Sequence, residues 1–325
     1  MPESLDLSLL QTIVAPYLEV SADNVRLVPI GTGQFNTSLW VETGDERFVL
    51  RLAPPDETRL LFYEKRMMRQ EPTLHALIRE RTSIPIPAIL ASGFSREQIN
   101  RDFVLLEAMP GKPISEAQLS AREFARTLQE VGECLSELHA LTAPDCLGMR
   151  GFGYLGEHQP LDVQPTWSLA FRAMWNALLD DVVACGAYSS EEGDVLREAL
   201  ERHISHFDRE VTASLLHMDV WAQNILVDKS GRVTGLIDFD RALWGDVEIE
   251  FAVLDYCGIS EAPFWKGYNR ERDDSHSAQV RGLFYLLYEL QKYMPIEMWR
   301  GHNITAAMNT KKQCLELAEP LRYRL

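Results

Sequence analysis

The segment from Leu215 to Asp246, LLHMDVWAQNILVDKSGRVTGLIDFDRALWGD, constrains this chain more tightly than any other stretch. His217, Asp219 and Asn224 form an H-x-D-x-x-x-x-N string, and fourteen residues after Asn224 an apolar run delivers Asp238 in IDFD. Phosphoryl transfer asks for such a set. It needs a carboxylate to accept or orient the proton of an attacking hydroxyl, and oxygen ligands that hold Mg²⁺ on nucleotide phosphates. Asp219 suits the first task, and Asn224 with Asp238 suits the second, as metal ligands. His217 reads as a scaffold residue pairing with backbone near Asp238 and Phe239. A chance string is the alternative, and context argues against it: strand-like apolar runs flank the string, and a glycine hairpin and a cationic strand residue precede it in the right order.

The first hundred residues read as a small α/β lobe. After an amphipathic opening helix, VRLVPIGTGQFNTSLWVET gives strand, glycine-bearing turn and strand, and ERFVLRLAPP gives a third strand closed by Pro54 and Pro55. Gly31, Gly33 and Asn36 lie in that first turn, where glycine backbone can approach phosphates without a Cβ in the way, although two glycines in a hairpin are more often turn chemistry alone. Arg51 alternates with Leu50 and Leu52, so it projects to the opposite sheet face, either to meet nucleotide phosphates or as a solvated strand charge. A helical carboxylate should hold it in place. Glu71 in RQEPTLHAL is the first candidate and Glu64 the reserve, because the residue before Pro72 is biased away from helix unless Pro72 begins a new one. Apolar residues at roughly helical spacing predict helix over 57–81, and DFVLLEAMPGKPI then reads as a strand entering a linker.

Beyond Pro113 the pattern is helical, with apolar stripes over 124–141, 169–183 and 195–207 and further helix over 247–257 and 278–294. The runs SLLHM, NILVD and VTGLID, around a turn at Lys229–Gly231, predict a small β insert that carries the catalytic string. His203 and His206 share a helix face, but with no fourth ligand evident they read as part of an exposed helix.

Composition bounds the rest. With 325 residues, 46% hydrophobic and 25% charged, the chain has the length for two lobes. Its five cysteines are odd in number and scattered, which argues against a disulfide framework or a thiolate zinc site. No basic leader or long apolar span appears, so a soluble, cytoplasmic protein is expected, as monomer or homodimer. The net charge of -16 disfavours nucleic acid and permits a cationic ligand. Acidic residues of the last third (Asp255, Glu261, Asp273, Asp274, Glu289) are expected to help line an acceptor pocket.

Taken in order, GTGQFN, FVLRL, FVLLEAMPGKPI, LSELHAL, LLHMDVWAQNILV and LIDFDRALWGD resemble the aminoglycoside phosphotransferase and choline kinase superfamily over nearly the whole chain. The resemblance implies an α+β, two-lobed protein-kinase-like fold, with a β-rich nucleotide-binding lobe over 1–108 and a mainly helical catalytic and acceptor lobe over 109–325. It implies ATP or GTP as donor with Mg²⁺, a backbone hinge for the base at Glu107, Ala108 and Met109, and transfer to a hydroxyl of a small molecule. An aminoglycoside-like acceptor, with antibiotic resistance as its consequence, is the first expectation, and a ketosamine, choline or sugar kinase the second. A silent pseudokinase is disfavoured because Asp219, Asn224 and Asp238 are all present. Met218 stands where the superfamily most often has glycine, and Glu250 where an aspartate commonly braces the catalytic loop. Gly245 follows Asp240 by five residues and no A-P-E anchor comes after it, which leaves no peptide platform of the protein-kinase kind. The chain ends in LRYRL, without the acidic, aromatic tail that some aminoglycoside kinases use on their substrate.

Overall fold

The structure is a computed structural model and describes residues 5–31, 35–156 and 158–322. The N-terminal region is built on an antiparallel sheet of order β1-β2-β3-β5-β4. Its strands are β1 (Arg26–Ile30), β2 (Thr37–Thr43), β3 (Glu46–Leu52), β4 (Ile89–Gly93) and β5 (Phe103–Glu107). Alternation of side chains gives each face a separate role. Leu39, Val41, Leu50, Leu52, Phe103 and Leu105 point to one face, where Leu10, Ile13 and Val14 of helix α1 (Leu7–Val14) cover them. On the other face Val104 and Leu106 pack with Met68, and Arg51 stands among them, buried.

The helix expected over 57–81 is shorter in the structure. Turns occupy the first ten residues, a 3₁₀ turn spans Met67–Gln70, and helix α2 covers Glu71–Arg81. The cause is local: Arg66 takes φ 60°, which breaks helical continuity, and Pro72 in the first turn restarts it. Glu71 thus sits at a helix N-terminus, fully buried.

The remainder is largely helical. The principal helices are α3 (Ala121–Ala140), α4 (Ala143–Leu147), α5 (Trp167–Ala184), α6 (Ser190–His203), α7 (Val247–Tyr256), α8 (Ala262–Tyr268), α9 (His276–Gln291), α10 (Tyr293–Ile296) and α11 (Ile304–Ala318). The predicted β insert divides into two ladders. One joins β6 (Lys112–Pro113), β8 (Ile225–Val227) and β9 (Val233–Leu236), and the other pairs β7 (Ser214–Leu216) with β10 (Leu243–Gly245). The catalytic string leaves β7 and enters β8, and Asp238 lies between β9 and β10, so both ladders aim their connecting loops at one place. His203 is buried with Nε2 3.2 Å from the Leu321 carbonyl, which corrects the expectation of an exposed helix there. The five cysteines are free thiols. Among the described residues no helix is long and apolar enough to cross a membrane.

Helices α3 and α8 approach so closely that a Cβ on Gly267 would sit 1.9 Å from the Gln129 carbonyl oxygen, and one on Gly132 would sit 2.2 Å from that of Phe264. Backbone on both sides leaves no flexible side chain to yield. Gly267→Ala is therefore expected to destabilise the fold by about 1–3 kcal/mol or more, seen as a lowered urea midpoint; an unchanged midpoint would contradict the packing described.

Candidate active site

Arg51 is the point where the sheet meets the helical region. Its Nη1 donates to Glu71 Oε2 at 2.7 Å, and its Nη2 donates to Asp238 Oδ1 at 2.5 Å and to Asp240 Oδ2 at 3.1 Å. Burial works against the arginine charge, but Asp238, Glu71 and Asp240 outweigh it and hold the guanidinium well above its ordinary range. Burial also pushes the Glu71 and Asp240 carboxyls up, with Arg51 pulling each back. Of the two carboxylates considered for Arg51, Glu71 is its partner. Glu64 binds Arg300 instead, at 2.7 and 2.8 Å. Asn36 Nδ2 donates to Asp240 Oδ2 at 3.1 Å, which attaches the end of the glycine turn to the same cluster. Gln70 Nε2 adds bonds to the carbonyls of Asp240 and Ala242 at 2.6 and 3.0 Å.

The catalytic string is held by ionised groups behind it. Glu250 on α7 is fully buried and accepts three donors: His217 N at 3.2 Å, Met218 N at 2.6 Å and His139 Nε2 at 2.7 Å. Burial opposes its ionisation, yet the His139 hydrogen bond and the backbone amides hold its carboxyl below the usual value. Arg241 Nη1 donates to the Met218 carbonyl and to Glu289 Oε2, both at 2.8 Å. Met218 has φ 66°, a left-handed conformation costing a side-chain-bearing residue on the order of 1–2 kcal/mol. Both of its peptide groups are gripped by buried charges, which is what keeps it there. Asp238 is left-handed too, at φ 72°. His217 receives Asp219 N–H on Nδ1 at 3.2 Å, which leaves Nε2 to donate to the Ile237 carbonyl at 3.0 Å. Its ring packs on Phe239 with centroids 4.2 Å apart, the scaffold position expected of it.

Asp219 presents its two oxygens differently. Asn224 Nδ2 donates to Oδ2 at 2.8 Å and to the Asp219 carbonyl at 2.9 Å, while Oδ1 lies 3.8 Å from Lys292 Nζ at the end of α9. Burial pushes the Asp219 carboxyl up and Lys292 pulls it down. Lys292 and Arg241 both also bind Glu289, so Asp219, Lys292, Glu289 and Arg241 form a charge-balanced chain. Sequence patterns had no means of linking residues 219, 241, 289 and 292, because only the packing of α9 behind the loop brings them together.

Other expected residues fall as follows. Gly31 is in the turn after β1, where its φ is not left-handed and a Cβ would meet nothing within 4 Å among the described residues. Gly33 lies outside the described residues. Glu107 ends β5 with its N–H bonded to the Ala88 carbonyl at 2.9 Å, and Ala108 and Met109 follow it, half-buried. Three of the five carboxylates expected to help line an acceptor pocket are already paired. Glu289 is buried and neutralised by Arg241 and Lys292, while Asp255 is paired with Arg272 and Asp273 with Arg281. For a magnesium ion, Asp238 offers a carboxylate with a 35% exposed side chain whose Oδ1 pairs with Arg51, and Asn224, whose nitrogen is spent on Asp219, offers its amide oxygen. Hard oxygen donors are the kind that ion takes.

Glu250→Gln is expected to lose about 2–4 kcal/mol of stability, since one arm of the amide cannot accept. The folded-state pKa of Glu250 is depressed, so its contribution is present above the unfolded carboxylate value and is lost as pH falls through the lower folded value. Urea unfolding should show a wild-type advantage that is constant over pH 6–8 (roughly the range above that window) and shrinks only in acid. An advantage that fades between neutral and weakly alkaline pH would contradict this.

The profile of the phosphotransferase enzyme family matches residues 26–283. A probable ketoamine kinase of Vibrio parahaemolyticus is 25% identical over 289 residues, covering 87% of this chain and 90% of that protein. In structure, a fructosamine-3-kinase candidate from Haemophilus somnus superposes with a TM-score of 0.67 at 19% identity, covering 94% of this chain and 96% of that one. An aminoglycoside phosphotransferase mutant, solved as a ternary complex with AMP-PNP and hygromycin B, superposes with a TM-score of 0.64 at 19% identity, covering 95% and 97%. The fold is therefore the two-lobed, protein-kinase-like one that the motifs implied, and the chain belongs to the phosphotransferase enzyme family.

Proposed function

We propose that this chain transfers the γ-phosphoryl group of ATP to a hydroxyl of a small sugar-derived acceptor of the ketosamine type. The observation that carries the reading is the disposition of Asp219, with Oδ2 fixed by Asn224 and Oδ1 left toward Lys292, close to Asp238 on its left-handed turn. In the proposed mechanism Asp219 Oδ1 accepts the hydroxyl proton as the oxygen attacks phosphorus. A carboxyl raised by burial is a better proton acceptor than an exposed one. Asn224 and Asp238 would hold Mg²⁺, which when bound neutralises charge on the nucleotide phosphates. Arg51 would act mainly by fixing Asp238 and α2, and His217 by fixing the backbone on both sides of the site. Among the described residues neither strain nor packing demands glycine at position 31, which is compatible with a phosphate approaching there. The hinge at Glu107, Ala108 and Met109 would receive the base; adenine nucleotide in one structural neighbour supports ATP as donor, and GDP in another keeps GTP as the second reading.

The choice of acceptor rests on charge. A polycationic aminoglycoside is best met by free carboxylates, and the cation Lys292 and the neutralised Glu289 stand beside Asp219 instead. The ketoamine kinase relative, matched over 90% of its length, supports the same choice. An aminoglycoside acceptor remains the second reading, favoured by the hygromycin B complex of a structural neighbour.

A coupled ADP-release assay with Mg²⁺ and ATP against ketosamines, simple sugars, choline and aminoglycosides tests this directly, with ketosamine-dependent turnover as the expected result. Asp219→Ala and Asp238→Ala should each lower kcat by roughly 10²–10⁴-fold while the unfolding midpoint of Asp219→Ala stays near wild type. Near-wild-type turnover in either variant would remove the mechanism.

A further inference from the structure

The face of Asp219 that is left toward an acceptor adjoins a group of side chains to which the reading above gives no part. Lys292 Nζ lies 3.8 Å from Asp219 Oδ1 and 5.0 Å from the centroid of the Tyr293 ring. Tyr293 in turn packs against Tyr256 at the end of α7, with ring centroids 6.1 Å apart and planes inclined at 42°. Tyr293 is also close enough to Asp219 to feel its charge. Tyr256 is 48% exposed, so the aromatic pair runs from the catalytic carboxylate out to the surface. A buried lysine, a tyrosine under it and a half-exposed tyrosine thus adjoin the oxygen of Asp219 that Asn224 leaves unbonded.

We propose that Lys292, Tyr293 and Tyr256 form the acceptor subsite beside Asp219, and that it receives the uncharged, polyhydroxylated part of the acceptor. This rests on the phosphotransferase reading above and specifies its substrate side. A hydroxyl placed to give its proton to Asp219 Oδ1 brings its neighbouring oxygens within reach of Lys292, whose ammonium has three donors and spends them on only two carboxylates. The C–H face of a sugar ring lies against an aromatic ring, as amphipathic surfaces do. A cationic group is disfavoured at the same place, because Lys292 already occupies the Tyr293 face and repels a second positive charge. The amine of an amino sugar or ketosamine is thereby directed away from Lys292, and the reacting hydroxyl is selected on the sugar. Lys292 is a specificity-determining residue in this account, and Glu289 and Arg241 are the positioning residues that keep it there.

The test uses the full chain with MgATP and three probes: 1-amino-1-deoxyfructose, D-fructose and hygromycin B. Lys292→Met should lower acceptor kcat/KM at least 100-fold with the KM for ATP within threefold of wild type, and Lys292→Arg should recover part of the loss. Tyr256→Leu, at a half-exposed position, should raise the KM of the sugar probes at least tenfold with little change in kcat and an unfolding midpoint near wild type. Acceptor kcat/KM within twofold of wild type in both Lys292→Met and Tyr256→Leu would overturn the subsite, as would wild-type transfer confined to hygromycin B. Failure of the phosphotransferase reading shows separately, as no ADP release by the wild type with any probe. In that event saturable binding of the sugars, followed by tryptophan fluorescence and weakened by Tyr256→Leu, supports the subsite, and no saturable binding overturns it.

Discussion

Everything at the proposed site depends on one buried arginine. Arg51 reaches from the end of strand β3, in the middle of the sheet, into a cluster of three carboxylates, one on helix α2 and two on the segment that carries Asp238. Taking such charges from water is unfavourable, and only near-complete pairing offsets it. Losing one partner of a buried pair costs about 3–5 kcal/mol. The cluster therefore gives little net stability but tolerates few alternative arrangements. It fixes how α2 lies on the sheet, and through Asp240 and Asn36 it draws the end of the glycine turn toward Asp238.

Behind the catalytic loop the same logic is repeated with different residues. Met218 is held in an unfavourable backbone conformation by a carboxylate on its N–H and a guanidinium on its carbonyl. Glycine would adopt that conformation freely, and this chain instead holds a buried methionine there with Glu250 and Arg241. The stiffened loop delivers Asp219 with one oxygen already occupied. Orientation of that kind is the main contribution a protein can make to phosphoryl transfer, since the charge on the transferred group is met by bound cations.

Much of this was legible in the sequence because short-range spacing dictates it. The catalytic string, the IDFD segment and the alternation around Arg51 each have a local cause, and all of them fall where spacing put them. Glu71 was preferred to Glu64, and Pro72 begins α2 just behind it. Where the reading departed from the structure, the controlling contact is long-range. The helix over 57–81 shortened because Arg66 is left-handed, the single β insert became two ladders because β7 pairs with the distant β10, and helices α8 and α11 were not anticipated. The pairing of Glu289 was hidden for the same reason: a count of carboxylates cannot reveal that Arg241 and Lys292 neutralise it, since only the fold brings them to it.

A double-mutant cycle on Arg51→Met and Asp240→Asn, read as kcat/KM for ATP, addresses the central claim most directly. If the charge cluster acts as one unit that places Asp238, the double variant should be little worse than the more damaging single one, leaving a coupling of about 1–3 kcal/mol. Losses that simply add would show that the two residues act independently and would contradict the account.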